Sequence, residues 1–263
     1  GYKPGQVAIG DNLLTSELVT DIVKMNRTFI VKRNLPVREM IEEARLLSKY
    51  MRYVLQEKKD SCWISHREGR TKDGNDRTNP GVLKMIAMDY DGDKMEYLKS
   101  LKIVPVSISY EYDSCDTLKA TELAEIELTG SYQKDGTEDM KSIITGVTQQ
   151  KGRVHLAFGE LLAERFFDFE TDKIQEQFKI LADKLDDQIH QNFRLFPGNY
   201  IAADLLRKNN MYADKYNAWE EEKFLKNFHE KLELRKNKDD FDVYKRILLE
   251  IYANPVINQL EKN

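Results

Sequence analysis

The chain has 263 residues, a formal net charge of -4 and a pI near 5.8. Its length suits one large domain or one domain with a helical appendage, and its acidic balance argues against a nucleic-acid-binding platform, which would carry a basic excess. Mean hydropathy is -0.62, and no apolar run approaches the ~20 residues needed to cross a bilayer, so we expect any membrane contact to be peripheral.

Cys62 and Cys115 are the only cysteines in the sequence. Two cysteines without CxxC spacing provide neither a disulfide framework nor a zinc signature, which suits a reducing compartment. We therefore expect a cytoplasmic protein without a metal or a cofactor. No signal-peptide pattern opens the chain. It begins at Gly1 without an initiator methionine, so we expect native sequence ahead of it.

The first predicted elements are two short strands, a long helix and a third strand. Residues 7–9 and 29–31 are short apolar runs typical of buried strands. Pro36 then opens a predicted amphipathic helix. Its apolar residues recur at helical spacing, at Met40, Ile41, Ala44, Leu47, Met51, Val54 and Leu55. Residues 62–64 predict another buried strand, which leads into a polar loop.

Strands and helices continue to alternate in the next segments. A helix is predicted from about Gly81 into residues 89–93, and the clearest strand follows at residues 103–110. Because a proline cannot donate to a ladder, Pro105 indicates an edge strand or a bulge there. After two helical stretches, residues 153–158 alternate as a strand, with Val154, Leu156 and Phe158 on one face. This alternation predicts an α/β fold with a largely parallel central sheet flanked by helices.

From about residue 172 the pattern is almost purely helical, so we expect an α/β domain at residues 1–170 and a helical C-terminal extension at residues 171–263. Within residues 220–247, acidic and basic side chains are equally frequent and alternate with apolar ones. A membrane-surface helix would be rich in lysine and arginine on its polar face. The balanced charge instead favours a solvated helix that packs its apolar stripe on the main domain.

The polar loop at residues 65–74 contains most of the candidate site residues. It follows a strand and places Glu68 among basic side chains that include His66 and Arg70. Ligands of open α/β sheets usually bind in loops at the carboxyl ends of strands. Gly69 would allow close backbone approach, and Arg70 could hold a phosphate through paired hydrogen bonds. The alternative is a surface turn whose charges pair with each other, and the loop alone does not decide between the two.

Two further cations, Lys32 and Arg33, follow the strand at residues 29–31. By themselves they are more typical of a solvated strand end than of a binding site. The order of these segments along the chain is more informative than any one of them.

Three segments, taken in order, resemble blocks two, three and four of the glycerolipid acyltransferases. They are Phe-Ile-x-Lys-Arg at residues 29–33, Glu-Gly-Arg at 68–70 and Val-Pro-Val-x-Ile-x-Tyr-Glu at 104–111. Further similarity lies in three segments, at residues 8–13, 152–160 and 199–206. The resemblance thus spans roughly residues 7–206. It departs from the commoner forms of block three, because Arg70 follows Glu-Gly with no small residue between them.

This resemblance implies an acyltransferase of phospholipid biosynthesis, peripheral to the membrane. It would move a fatty acyl group from acyl-CoA or acyl-carrier protein to a hydroxyl of glycerol 3-phosphate or lysophosphatidate. A histidine, oriented by an aspartate in a His-x4-Asp block, would remove the proton of the acceptor hydroxyl. The resemblance also implies that Lys32, Arg33 and Arg70 bind the acceptor phosphate, that Glu68 orders the loop or the acceptor, and that Gly69 permits close approach.

None of the four histidines has an aspartate at the required position. Only His155 is followed at that spacing by a carboxylate, that of Glu160, but residues five apart on a strand face opposite sides. We interpret His155 as structural and His66 as a surface hydrogen-bonding group. We therefore expect the histidine block ahead of Val7 and assign no catalytic residue within this chain, which would be inactive by itself.

Alternatives remain at this point. The helical region after the core favours glycerol 3-phosphate over lysophosphatidate as the acceptor. A different class of function is a non-catalytic acyltransferase-like module that binds lipid or a protein partner, and a His-x4-Asp block ahead of Gly1 would distinguish the enzyme from the module. An unrelated phosphate-binding α/β protein would require the ordered segments to be coincidental.

Overall fold

The structure, a computed structural model, describes residues 3–14, 17–33, 35–67, 71–133, 136–236 and 238–261. The chain divides into two compact units that alternate along the sequence. The first unit comprises Gly1–Gly69, Arg77–Val104 and Glu160–Leu185, and the second comprises Arg70–Asp76, Pro105–Gly159 and Asp186–Asn263. The domain division at residue 170 stays a prediction, because compactness does not test which segment folds by itself.

The first unit contains a three-stranded parallel sheet. Its strands are β1 (Gln6–Gly10), β2 (Thr28–Val31) and β3 (Cys62–Trp63), in the order β2-β1-β3. In the ladder between β1 and β2, Gly10 lies opposite Val31. Because all three strands are parallel, their carboxyl ends meet at the same edge of the sheet.

Helices accompany this sheet in the first unit, and several of them contribute apolar side chains to a common core. The helices of this unit are α1 (Glu17–Met25), α2 (Val37–Arg52), α3 (Pro80–Ile86), α4 (Lys94–Ser100) and the part of α7 (Ile174–Asn192) up to Leu185. The core includes Phe29, Met51 and Leu98. Ser48 of α2 is buried within it, and its Oγ donates to the Ile86 carbonyl at 2.8 Å and accepts from Asp89 N at 3.0 Å. These bonds join α2 to the end of α3 without leaving the hydroxyl unsatisfied.

The second unit contains a two-stranded antiparallel sheet of β4 (Val106–Tyr110) and β5 (Val154–Phe158). Alternation along β5 is confirmed, because Val154, Leu156 and Phe158 share one face. That face is the exposed one, since each of these side chains is at least half exposed.

The remaining helices belong to the second unit, which has a core of its own. They are α5 (Asp116–Thr129), α6 (Glu138–Thr148), the end of α7, α8 (Pro197–Arg207), α9 (Ala218–Glu233) and α10 (Phe241–Leu260). Buried residues of α8, α9 and α10 meet in this core, among them Ile201, Phe224 and Leu248. Asn199 secures the start of α8, because its Oδ1 accepts from Phe196 N and its Nδ2 donates to the Tyr252 carbonyl, both at 2.8 Å.

The α/β class and the helical C-terminal region are confirmed. Parallel pairing extends over β1, β2 and β3, whereas β4 and β5 pair antiparallel. The sequence did not predict this difference, because an alternation of strands and helices does not by itself set strand direction. Helix α4 was not predicted. Its sequence signal is Asp93, which accepts bonds from the N–H groups of Met95 and Glu96, with a glutamate three residues after the cap.

Candidate functional site

Polar segments follow every strand of the parallel sheet. A single helical turn, Asp11–Leu13, follows β1, the cations Lys32 and Arg33 follow β2, and residues 64–67 follow β3. Since the strands are adjacent and parallel, these three segments lie at one edge, which is where open α/β sheets usually bind ligands. The structure thus brings Lys32 and Arg33 to the same sheet edge as the start of the loop after β3.

Gly10 and Arg33 are in close contact at this edge. Because Gly10 pairs with Val31, the two residues that follow β1, Asp11 and Asn12, lie beside the two that follow β2, Lys32 and Arg33. A Cβ atom built on Gly10 would lie 2.7 Å from Nε and 3.1 Å from Cζ of Arg33, and it would also collide with the Asn12 side chain. The guanidinium can therefore lie against the end of β1 only because residue 10 has no side chain. Arg33 is half-buried, and within the described residues it forms no hydrogen bond or ion pair.

Lys32 is held differently from Arg33. Its Nζ donates to Glu43 Oε1 on α2 at 2.5 Å. The hydrogen bond and the charge of Glu43 raise the pKa of Lys32 above its ordinary value, and Asp11 and Glu39 add to this effect. Lys32 is thus a permanent cation near Arg33, but a carboxylate already occupies one of its donors.

The loop after β3 is described at both of its ends. His66 Nδ1 lies 3.0 Å from Oγ1 of the buried Thr78, and the His66 carbonyl accepts from Asn79 N at 2.9 Å. The sequence analysis interpreted His66 as a hydrogen-bonding group of the loop, and these contacts to Thr78 and Asn79 are hydrogen bonds of that kind. The predicted site residues Glu68, Gly69 and Arg70 lie outside the described residues.

Comparison with known proteins identifies no relative. No family model, curated protein or solved structure matches the chain. The functional interpretation therefore depends on the geometry of the sheet edge and on the resemblance of the ordered segments.

Three further observations concern metal ligands, the thiol of Cys62 and membrane-spanning helices in the described part of the chain. No group of three or more histidine, cysteine, aspartate or glutamate side chains there is arranged to hold a metal ion. Burial, and to a lesser degree the charge of Asp60, raises the pKa of the Cys62 thiol to about 11. Cys62 is therefore protonated at neutral pH and is a poor nucleophile. Among the described helices, none is both long enough and apolar enough to span a bilayer.

Chemically, the sheet edge offers cationic hydrogen-bond donors next to the carboxyl ends of the strands. Such an arrangement can bind and orient a small anion, and a guanidinium suits a phosphate because it presents two parallel donors. Gly10 and Asn12 were not among the predicted site residues. The sequence signal for them was the Ile-Gly-Asp-Asn segment at residues 9–12, which ends β1 and begins the turn after it, and which the resemblance included without assigning it a role.

Proposed function

We propose that this chain forms the acceptor-binding part of a glycerol-phosphate O-acyltransferase of phospholipid biosynthesis. The enzyme would transfer a fatty acyl group from acyl-CoA or acyl-carrier protein to a hydroxyl of glycerol 3-phosphate or lysophosphatidate. It would act in the cytoplasm, peripheral to the membrane. The observation that carries the proposal is the position of Arg33 against Gly10, at the carboxyl edge of a parallel sheet.

In this proposal Arg33 binds the acceptor phosphate through its guanidinium. Lys32, oriented by Glu43, adds a second positive charge near the phosphate without being free to move far. The resemblance adds Arg70 as a further phosphate ligand, with Glu68 ordering the loop and Gly69 permitting close approach. The alternation of strands and helices along the sequence further supports a largely parallel central sheet flanked by helices, to which these parallel strands would belong.

The reaction would need two proton transfers and one displacement at the thioester carbonyl. A histidine base takes the proton of the acceptor hydroxyl, and the oxygen attacks the carbonyl carbon of the thioester. When the carbon–sulfur bond breaks, the leaving thiolate takes the proton from the histidine. The proposal assigns no base within this chain, because the resemblance implies a His-x4-Asp block ahead of Val7. By itself the chain would bind the acceptor without turning it over.

Binding of glycerol 3-phosphate to this chain tests the acceptor site directly. By isothermal titration calorimetry we expect saturable binding, with glycerol binding much more weakly. Arg33→Ala should reduce the affinity roughly tenfold or more, because it removes a charge-assisted contact with phosphate. Arg38→Ala is the matched control, since Arg38 lies on α2 with 92% of its side chain exposed. Equal affinity in all three proteins, or no binding of glycerol 3-phosphate, would contradict the proposal.

A second experiment tests the chemistry. The chain extended by its native upstream sequence is assayed for transfer of labelled acyl groups from both donors to glycerol 3-phosphate and to lysophosphatidate. Turnover that Arg33→Ala abolishes supports the enzyme and identifies the acceptor. Acceptor binding without turnover for any donor favours the non-catalytic binding module instead.

A further inference from the structure

A pocket of about 320 Å³ lies within the second unit. One wall is formed where the β4–β5 ladder ends, at Glu111, Tyr112 and Arg153, and the other by the first turns of α8 and α9. Backbone bonds continue past the ladder here, since Glu111 N donates to the Arg153 carbonyl at 2.9 Å. The wall is therefore a rigid extension of the sheet. Volumes of this size fall at the small end of those that hold organic ligands.

Two cations in this pocket share one carboxylate. Glu111, whose side chain is only 14% exposed, accepts from Arg153 N at 2.9 Å and from Nε of the same residue at 3.1 Å. Lys223 Nζ lies 4.0 Å from the other carboxylate oxygen. Burial alone would raise the pKa of Glu111, but the hydrogen bonds and charge of Arg153, with the charge of Lys223, outweigh it and lower the pKa.

The charged side chains that line the pocket balance, since two cations face the carboxylates of Glu111 and Glu220, but both cations are still partly open to solvent. Glu111 neutralises one of the two cations, while the side chains of Arg153 and Lys223 are 54% and 48% exposed. Glu220, the other carboxylate at the pocket, accepts from Asn217 N at 3.1 Å as part of the cap of its own helix. An anion entering the pocket would thus find donors on two exposed cations.

Aromatic rings line the same opening. Lys223 Nζ lies 5.5 Å from the ring centre of Tyr112 and 5.4 Å from that of Trp219, so it contacts two π faces. Trp219 itself is 67% exposed, which is unusual for the most hydrophobic ring system in proteins. An exposed indole beside exposed cations is suited to stacking on a planar group that carries negative charge.

We propose that this pocket binds a small organic anion in which a planar ring carries a phosphate or carboxylate group. The ring stacks on Trp219, and the anionic group accepts hydrogen bonds from Lys223 and Arg153. Neither half of such a ligand alone would use both features of the pocket. The residues that line this pocket are not among those of the proposed acceptor site, and neither proposal depends on the other.

Fluorescence of Trp219 tests this proposal on the full chain. Trp63 is the only other tryptophan, and Trp63→Phe leaves Trp219 as the single reporter. Four probes are titrated: adenosine monophosphate (ring with phosphate), 4-hydroxybenzoate (ring with carboxylate), adenosine (ring alone) and inorganic phosphate (anion alone). We expect saturable quenching by at least one of the first two, with an affinity about tenfold or more above that of both partial probes. Which of the two binds distinguishes a nucleotide from an aromatic acid.

Two lysine variants complete the test. Lys223→Ala should weaken binding of the preferred probe about tenfold, whereas Lys226→Ala, an exposed lysine of α9 outside the pocket, should leave it unchanged. Both variants remove one charge from the same helix, and unchanged circular dichroism would establish that each is folded. The proposal is overturned if neither ring-bearing anion binds more tightly than the partial probes, or if the two variants weaken binding equally.

Discussion

The backbone of Gly10 and the guanidinium of Arg33 occupy adjoining space, so that a single methyl group on residue 10 would lie 2.7 Å from Arg33 Nε. The contact joins the ends of two adjacent parallel strands. It makes the position of the arginine depend on a residue that has no functional group of its own.

Gly10→Ala should therefore displace Arg33 without unfolding the protein. The added methyl group meets the side chains of Arg33 and Asn12 and no backbone atom among its nearest contacts, so both can move away at little cost. We expect affinity for glycerol 3-phosphate to fall about tenfold and the free energy of unfolding to change by less than about 1 kcal/mol. Calorimetric titration and urea denaturation measure the two quantities. Gly146→Ala, where the new methyl meets only Cys115 Sγ at 3.7 Å, is the control and should leave the affinity for glycerol 3-phosphate unchanged.

Gly74→Ala should be among the most destabilising glycine substitutions in the second unit. Gly74 has a φ of 74°, and its Cβ would collide with the backbone carbonyl of Ile251, so both local strain and a clash arise. We expect a loss of about 3 kcal/mol in the free energy of unfolding. Gly130 has a similar φ of 79° but nothing within 4 Å, so Gly130→Ala should cost only about 1 kcal/mol. If urea denaturation gave equal losses of unfolding free energy for the two variants, the contact between residue 74 and α10 would not be what makes Gly74→Ala costly.

Removal of the Tyr252 hydroxyl should destabilise the second unit. This hydroxyl donates to Asp116 Oδ2 at 2.5 Å and accepts from Asp113 N at 3.2 Å, and Lys231 Nζ lies 2.5 Å from the same Asp116 oxygen. Tyr252→Phe leaves a buried carboxylate with one donor fewer, so we expect a loss of about 2 kcal/mol. Tyr110→Phe, on the exposed face of β4, is the control and should change the unfolding free energy by less than about 0.5 kcal/mol.

Acid should weaken the second unit through Glu261. Hydrogen bonds and charge from Arg207 lower its pKa below the ordinary value of 4.5, against the effect of burial, and a bond from Tyr212 helps. Because the folded-state pKa is depressed, this stabilisation is fully present above about pH 4.5 and is lost as the pH falls through the folded-state value. Glu261→Gln should reduce the fall in unfolding free energy between pH 5 and pH 3, relative to the exposed control Glu230→Gln. Parallel pH profiles for the two variants would count against this role.

Both cysteine thiols should react slowly in the folded protein. Cys62 has a pKa of about 11 because it is partly buried, and Cys115 is 3% exposed. At pH 8 we expect alkylation by iodoacetamide to be at least about tenfold slower than in guanidinium chloride, where both thiols return to ordinary values. Rapid labelling of Cys62 in the folded chain would show that its thiolate is accessible.

Several features of the fold could be predicted from local sequence because they depend on local backbone geometry. The period of two along residues 153–158 follows from the strand itself, so it was predictable that Val154, Leu156 and Phe158 share a face. Whether this face is buried or exposed could not be predicted, because that depends on what packs against β5. Likewise, Asp93 and Glu96 carry the sequence signal for α4. That helix has only seven residues, which is too few for its apolar residues to show a helical period.

The sequence by itself determined which polar residues follow which strand, and therefore that Lys32 and Arg33 would follow one strand and the loop at residues 65–74 would follow another. Only the tertiary structure decided that β1 lies between β2 and β3, that Lys32 pairs with Glu43, and that Arg33 rests against Gly10. The physical reason is range: periodicity and capping act over a few residues, whereas strand order and ion pairing are settled by contacts between segments far apart in the chain.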